Sequence, residues 1–231
     1  MRGRMLAGIG GGSQGAGGGQ MDYDAEARRL WERLGLREGA GGPRGAGDRY
    51  HALDPIWKHP ATGGTIYVGN QSAANDAQVL RAHNISHVVN CTDNIPCFHE
   101  ADPHFQYYRF DIAWWWRHID GSHASLARFV APMLAFVYNQ AVCQGKSVLV
   151  HCLAGAHRAG TTGTLLLMVM EGLRPREAVQ VAKLCRPIID PIGNFPEFLN
   201  RVDACIEAGA LPVPKNHGGA GAAAGSSAKG P

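Results

Sequence analysis

From residue 54 to residue 210 the apolar positions switch repeatedly between two periods, about 2 and about 3.6 residues, the periods of strands and helices. β-Branched runs at 65–68 (T-I-Y-V) and 85–91 (I-S-H-V-V-N-C) predict two short strands, and residues 73–83 between them predict a helix with Leu80 at its core. Residues 106–110 (Q-Y-Y-R-F) predict a third strand. Over 125–141, Leu126, Phe129, Val130, Met133, Leu134, Val137 and Ala141 fall at helical spacing, with Pro132 either kinking that helix or starting its main part. The run at 147–151 (S-V-L-V-H), bounded by Gly145, is the most apolar strand and belongs at the centre of a sheet. A helix follows from near His157 to Gly172, and Pro175 stands beyond it as the first-turn residue of the next. Asn194, Pro196 and Glu197 predict a capped start for a last helix ending near Ala208. Strands alternating with helices predict an α/β fold with a single central, mostly parallel sheet covered on both faces.

The flanks read differently. Of the 31 glycines, nine lie in residues 1–20, six in 35–47 and five after Asn216, so the glycine bias belongs to the ends and the globular part is ordinary. Residues 1–21 and 211–231 are expected to be disordered tails, because glycine loses the most backbone freedom on ordering and little apolar surface offsets it. Residues 22–53 predict a short helix and a flexible linker. Asp24 opens the helix over 25–36 with Leu30, Trp31 and Leu34 on one face, and the linker runs over 39–47. That helix either docks back or frays, or meets a partner. The domain proper is expected over 54–210.

With 45% hydrophobic and 18% charged residues, the chain suits one globular core. A net charge of +3, scattered, disfavours nucleic acid and polybasic membrane binding. No uncharged apolar run approaches the roughly 20 residues that span a bilayer, and glycine interrupts any secretory segment after Ala7. The first acid is Asp22, so the start is weakly similar to an organelle transit peptide, but a cytoplasmic or nuclear location is the main expectation. Six widely spaced cysteines without a C-x-x-C pair predict free thiols and no metal site.

Chemistry concentrates in 148–162, V-L-V-H-C-L-A-G-A-H-R-A-G-T-T. A buried strand delivers Cys152 to its carboxyl end, a loop turns through Gly155, and a helix begins. Backbone N–H groups of Leu153, Ala154, Gly155, Ala156, His157 and Arg158 can converge there on a dianion, and the Arg158 guanidinium can hold two oxygens. The same field favours the thiolate of Cys152, which makes it a nucleophile. His151 either orients the loop and steadies the thiolate or is a buried spacer.

Cys152 to Arg158 has the H-C-x5-R spacing, and with V-L-V-H before it and an apolar helix after it the segment resembles the dual-specificity branch of the cysteine-dependent protein phosphatases. The stretches at 66–74 (I-Y-V-G-N-Q-S-A-A), 85–91 and 186–199 (R-P-I-I-D-P-I-G-N-F-P-E-F-L) resemble the same domains. The resemblance implies hydrolysis of phosphotyrosine and phosphoserine or phosphothreonine monoesters of proteins in two steps, without metal or cofactor, with a low-activity phosphate-binding module or a glucan phosphatase as the alternatives: Cys152 attacks phosphorus, Arg158 and the loop amides hold the equatorial oxygens, and water releases phosphate. It also implies an acid for the leaving oxygen on a loop about 30 residues before the cysteine. Asp120, 32 residues upstream, is the expected donor, and Asp111, 41 residues upstream, is its rival.

Several positions depart from or add to that pattern. Ala159 stands where the family carries a hydroxyl that assists breakdown of the phosphoenzyme, with Thr161 or Thr162 as substitutes one turn on. Trp114, Trp115 and Trp116 cannot all face one core in a strand, so at least one is expected near the surface, as a ligand platform or a packing anchor. His157 adds at most one partial charge, which favours phosphoprotein over polyphosphorylated lipid. Cys91 either traps Cys152 in a reversible disulfide or is a small buried hydrophobe.

Overall fold

The computed structural model describes residues 21–34 and 50–211; the glycine-rich tails and the expected linker lie outside the described residues. Strands β1 (Leu53–Lys58), β2 (Thr65–Gly69), β3 (Ile85–Asn90), β4 (Gln106–Arg109) and β5 (Ser147–His151) form one sheet in the order β1-β2-β5-β3-β4. Only β1 runs antiparallel to its neighbour; β2, β5, β3 and β4 are mutually parallel, which gathers their carboxyl ends on one edge. β5 is central, as its unbroken apolar run predicts, and every one of its residues is buried.

The helices are α1 (Tyr23–Arg33), α2 (Gln71–Asn75), α3 (Ala77–Ala82), α4 (His123–Ala135), α5 (Arg158–Glu171), α6 (Pro175–Cys185) and α7 (Phe195–Glu207). Alternation along the strands feeds two cores. Ile66, Val68, Val89, Val148 and Val150 pack with Leu126 and Val130 of α4, Leu165 and Leu166 of α5, Ala178 of α6 and Phe198 of α7. On the opposite face Ile85, Val88 and Leu149 meet Ala73, Ala74, Leu80 and Phe105. Burial of this apolar surface is the main force holding the helices to the sheet.

The departures from expectation are local and have local causes. β1 is not foreseen because Pro55 lies inside it; an edge strand tolerates the missing N–H, and the register slips between Pro55 and Trp57. The helix expected over 73–83 is two helices, since Asp76 turns extended and its carboxylate accepts from the N–H groups of Gln78 (2.9 Å) and Val79 (3.0 Å). Pro132 lies inside α4 and neither starts nor ends it; the last turns, Phe136–Ala141, widen to π geometry. The tryptophans lie on a 3₁₀ turn, Ile112–Arg117, so they radiate instead of alternating. Asn194 precedes α7 without capping it, because its side-chain oxygen accepts from the Tyr23 hydroxyl at 2.9 Å.

α1 docks back onto the domain and starts earlier than predicted: Asp22, not Asp24, is its cap, accepting from the N–H groups of Asp24 and Ala25. Its buried stripe is Tyr23, Ala27 and Trp31, whereas Leu34 is exposed. The helical run His123–Gln144, 22 residues long, is apolar enough to cross a membrane by length and composition, although no single uncharged run predicts it. Here Leu126, Val130, Met133 and Leu134 turn its apolar face into the larger core.

Candidate active site

The loop from Cys152 to His157 joins the central strand to the first turn of α5. Its shape is imposed from outside, carbonyl by carbonyl. Leu153 O accepts from the Gln71 N–H (3.1 Å), and Ala154 O from Arg186 Nη2 (3.1 Å) and the Tyr50 hydroxyl (3.3 Å). Gly155 O accepts from Arg186 Nε (2.9 Å), Ala156 O from the Asp190 N–H (3.0 Å), and His157 O from the N–H (2.8 Å) and hydroxyl (2.7 Å) of Thr161. A trans peptide points its C=O and the following N–H in opposite directions, so the N–H groups from Ala154 to Arg158 turn to the inner side. Gly155 makes the turn at φ +69, and a Cβ there would stand 2.5 Å from Gly69 O.

Arg186 is wholly buried, and besides the two loop carbonyls it bonds His51 O (3.0 Å) and the Asp54 carboxylate. Tyr50 is itself held by Asn70 Nδ2 (2.9 Å) and Trp31 Nε1 (3.1 Å). Neither Arg186 nor Tyr50 carries a role in the sequence reading; both are far from Cys152 in the chain, and only the fold brings them to the loop.

Cys152 lies at the base of the cradle, 2% exposed, and Arg158 is buried above it. Burial works against the charge of Arg158, but Cys152 and Asp24 hold the guanidinium pKa above its usual value. Its Nη2 is ion-paired with the Asp24 carboxylate, while Nε has no partner among the described residues. His151 is fully buried, and burial pushes its pKa down to about 3, so the ring is neutral. Neither ring nitrogen has a close hydrogen-bond partner among the described residues, although the Cys152 backbone is near enough to work against the fall. His157 donates through Nδ1 to Asp190 O at 2.8 Å, and burial lowers its pKa, so it brings no permanent charge to the loop.

Cys91 follows β3, and its Sγ lies 3.4 Å from Thr162 Oγ1. Burial pushes its thiol up to about 12, and Cys152 is near enough to add to that rise. All six cysteines are free, and a thiol so hard to ionise is a poor resolving nucleophile. The hydroxyls of Thr161 and Thr162 are both turned back to carbonyls of their own helix, His157 O and Arg158 O, rather than to Cys152.

A cavity of about 550 Å³ opens at Arg158, lined by Met21, Asp22, Tyr23, Asp24, Arg28, Asp93, Asn94, Ala113 and Trp114. Asp120, the expected acid, is not among them. It sits exposed before α4, where its carboxylate accepts from the Ser122 N–H at 2.9 Å, and the bonds to Ser122 and Ser125 hold its pKa well below the usual carboxylate range. Asp111, the rival, pairs with His118 Nε2 (2.9 Å) in a separate cleft with Arg128 and Phe129. The cavity's own carboxylates are Asp22, Asp24 and Asp93, none of which the sequence reading singles out as an acid. Asp93 is carried by a stiff loop: Asn90 bonds the Thr92 N–H (3.0 Å) and Ile95 O (2.8 Å), and Arg109 reaches Thr92 O and Ile95 O.

The tryptophans divide by depth. Trp115 is buried against Phe198, with ring centroids 5.4 Å apart, and is the packing anchor; Trp116 is 36% exposed. Trp114 lines the cavity beside Arg158, with the Arg117 guanidinium 3.7 Å above its ring.

Taken together, strand, loop and helix make an oxyanion cradle with a thiol at its base and an arginine at its rim. Residues 66–204 match the family model described as dual specificity phosphatase, catalytic domain. The chain belongs to the dual specificity phosphatase family. It is 28% identical over 130 residues to dual specificity protein phosphatase 1 of Arabidopsis thaliana, covering 56% of this chain and 61% of that one. To human dual specificity protein phosphatase 9 it is 29% identical over 174 residues, covering 75% and 42%. The chain thus spans less than two thirds of the length of these curated relatives. Among solved structures, a mouse dual specificity phosphatase complexed with zinc tungstate is 25% identical, with a TM-score of 0.55 over 76% of this chain and 100% of that one.

Proposed function

We propose that this chain hydrolyses phosphotyrosine and phosphoserine or phosphothreonine monoesters of proteins through a phosphocysteine at Cys152, without a metal. The observation that carries the reading is the loop whose carbonyls from Leu153 to Ala156 are engaged on its outer side and that of His157 by the first turn of α5, leaving its amides for an oxyanion beside a buried thiol. In the first step the thiolate attacks phosphorus, the P–S bond forms and the P–O bond to the leaving group breaks. The amides and Arg158 take up the charge on the three equatorial oxygens. The leaving oxygen needs a proton, and the cavity supports Asp93 as its donor in place of Asp120 or Asp111, which lie outside it. Water then attacks phosphorus, the P–S bond breaks, and phosphate leaves.

A second reading, a phosphate-binding module with little turnover, draws on Ala159 and on the absence of both expected acids from the lining of the cavity. Hydrolysis of an aryl phosphate with chelator present, by wild type and Cys152→Ser, decides between them. Turnover lost in the variant supports the enzyme. Tungstate binding without turnover by folded wild type supports the module.

A further inference from the structure

We infer that α1 is an intramolecular plug, in which the Asp24 carboxylate takes the place of a substrate phosphate oxygen on Arg158; this rests on the phosphatase reading and names a regulation of the same site. Asp24 Oδ1 accepts from Arg158 Nη2, and Oδ2 accepts from Asn94 Nδ2 at 2.8 Å, so both oxygens of the carboxylate are held. The pair is nearly sealed from solvent, with Arg158 and Asp24 side chains 5% and 16% exposed.

The helix is fixed on either side of that contact. N-terminally, Tyr23 stacks on Phe195 with ring centroids 4.5 Å apart, and its hydroxyl draws Asn194 away from capping α7. C-terminally, Ala27 and Trp31 pack on Leu153, Ala154 and Ala156, and Trp31 Nε1 donates to Tyr50, which donates to the loop. The apolar stripe of α1 therefore lies directly on the phosphate loop. Its first turn places one carboxylate on Arg158, in the cavity that both residues line.

A phosphate dianion held bidentately through Nε and Nη2 needs the Nη2 donor that Asp24 occupies, and like charges at hydrogen-bond distance repel. Substrate must therefore capture the fraction of molecules in which α1 has left, and apparent affinity is the intrinsic affinity reduced by that fraction. Releasing the helix strengthens oxyanion binding and speeds turnover, with no change to the groups that perform the chemistry.

The test uses the full chain. Asp24→Asn removes the charge and keeps the shape; Tyr23→Ala loosens the anchor on Phe195 and Asn194 without touching Arg158 or the loop. Tungstate affinity is measured by calorimetry on wild type and both variants, and kcat/KM is measured on a small aryl phosphate. The expected result is tungstate binding at least 10-fold tighter and kcat/KM higher in both variants. Unchanged or weaker tungstate binding in Asp24→Asn overturns the plug, as does a fall in turnover, which makes Asp24 a contributor to turnover instead of a competitor. Because tungstate binding is read without catalysis, inactivity of every form overturns the phosphatase reading and leaves the binding comparison to judge the plug.

Discussion

Two glycines with the same backbone conformation separate conformational strain from steric contact at the loop. Gly155 and Gly172 have φ +69 and +67, so alanine at either carries the left-handed penalty of about 1–2 kcal/mol. A Cβ on Gly172 meets nothing within 4 Å. At Gly155 it would stand 2.5 Å from Gly69 O, 2.6 Å from Gly69 C and 2.9 Å from Arg186 Nη2. Two of those atoms are backbone at the end of β2, and the third belongs to the arginine that fixes the loop, so none yields cheaply. Overpacking of this kind adds about 1–3 kcal/mol, which brings Gly155→Ala to roughly 2–5 kcal/mol. In a domain of this size each kcal/mol lowers Tm by about 2–4 °C. Scanning calorimetry should show Gly172→Ala down by a few degrees and Gly155→Ala by two to three times as much. Turnover should follow the contact and not the strain: Gly172→Ala retains kcat/KM, while Gly155→Ala loses about 100-fold through displacement of the amides. Equal loss of Tm and of turnover in the two variants would falsify the account of Gly155 as a contact point between loop and strand.

Asp93→Asn should lower kcat about 100-fold on an aryl phosphate with a poor leaving group and barely at all on one with a good leaving group, whereas Asp120→Asn should change neither; the opposite pattern returns the acid role to Asp120. Stopped-flow on wild type should show a burst of leaving group, since Ala159 offers no hydroxyl and Thr162 donates to Arg158 O; Ala159→Ser should shrink the burst, and a burst of unaltered size denies that role. His151 has a folded pKa of about 3 against 6.5 unfolded, so the unfolded chain binds the extra proton between those values. Its contribution to stability is therefore complete above pH 6.5 and falls as pH drops towards 3, by up to about 1.4 kcal/mol per pH unit. Urea midpoints at pH 7, 6 and 5 should show a shallower decline in His151→Gln, and parallel lines would mean that the ring is protonated without unfolding.

The strand, loop and helix around Cys152 were legible because local sequence dictates them: an unbroken apolar strand, a glycine where the chain turns left-handed, and a periodic helix. The family was legible for the same reason. What was not legible depends on residues distant in the chain. Arg186 reaches the loop only because α6 packs beside α5, and Asp24 reaches Arg158 only because Tyr23 and Trp31 find pockets on the folded domain. Asp120 stands 32 residues before Cys152, but that count says nothing of where its carboxylate goes, and Ser122 and Ser125 at the start of α4 hold it outside the cavity at Arg158. The cap at Asn194 failed differently: the residue type was right, but a tertiary partner, Tyr23, took the side chain.

A loop whose carbonyls are already committed to Gln71, Arg186, Tyr50 and Asp190 has little freedom left to surrender when an oxyanion arrives. Its preorganisation means that the cost of ordering the amides is met during folding, not during each catalytic cycle. On the proposed function, substrate range can then drift through the Trp114 ring at the rim while the loop amides stay fixed beneath it. Chemistry and recognition are held by different parts of the chain.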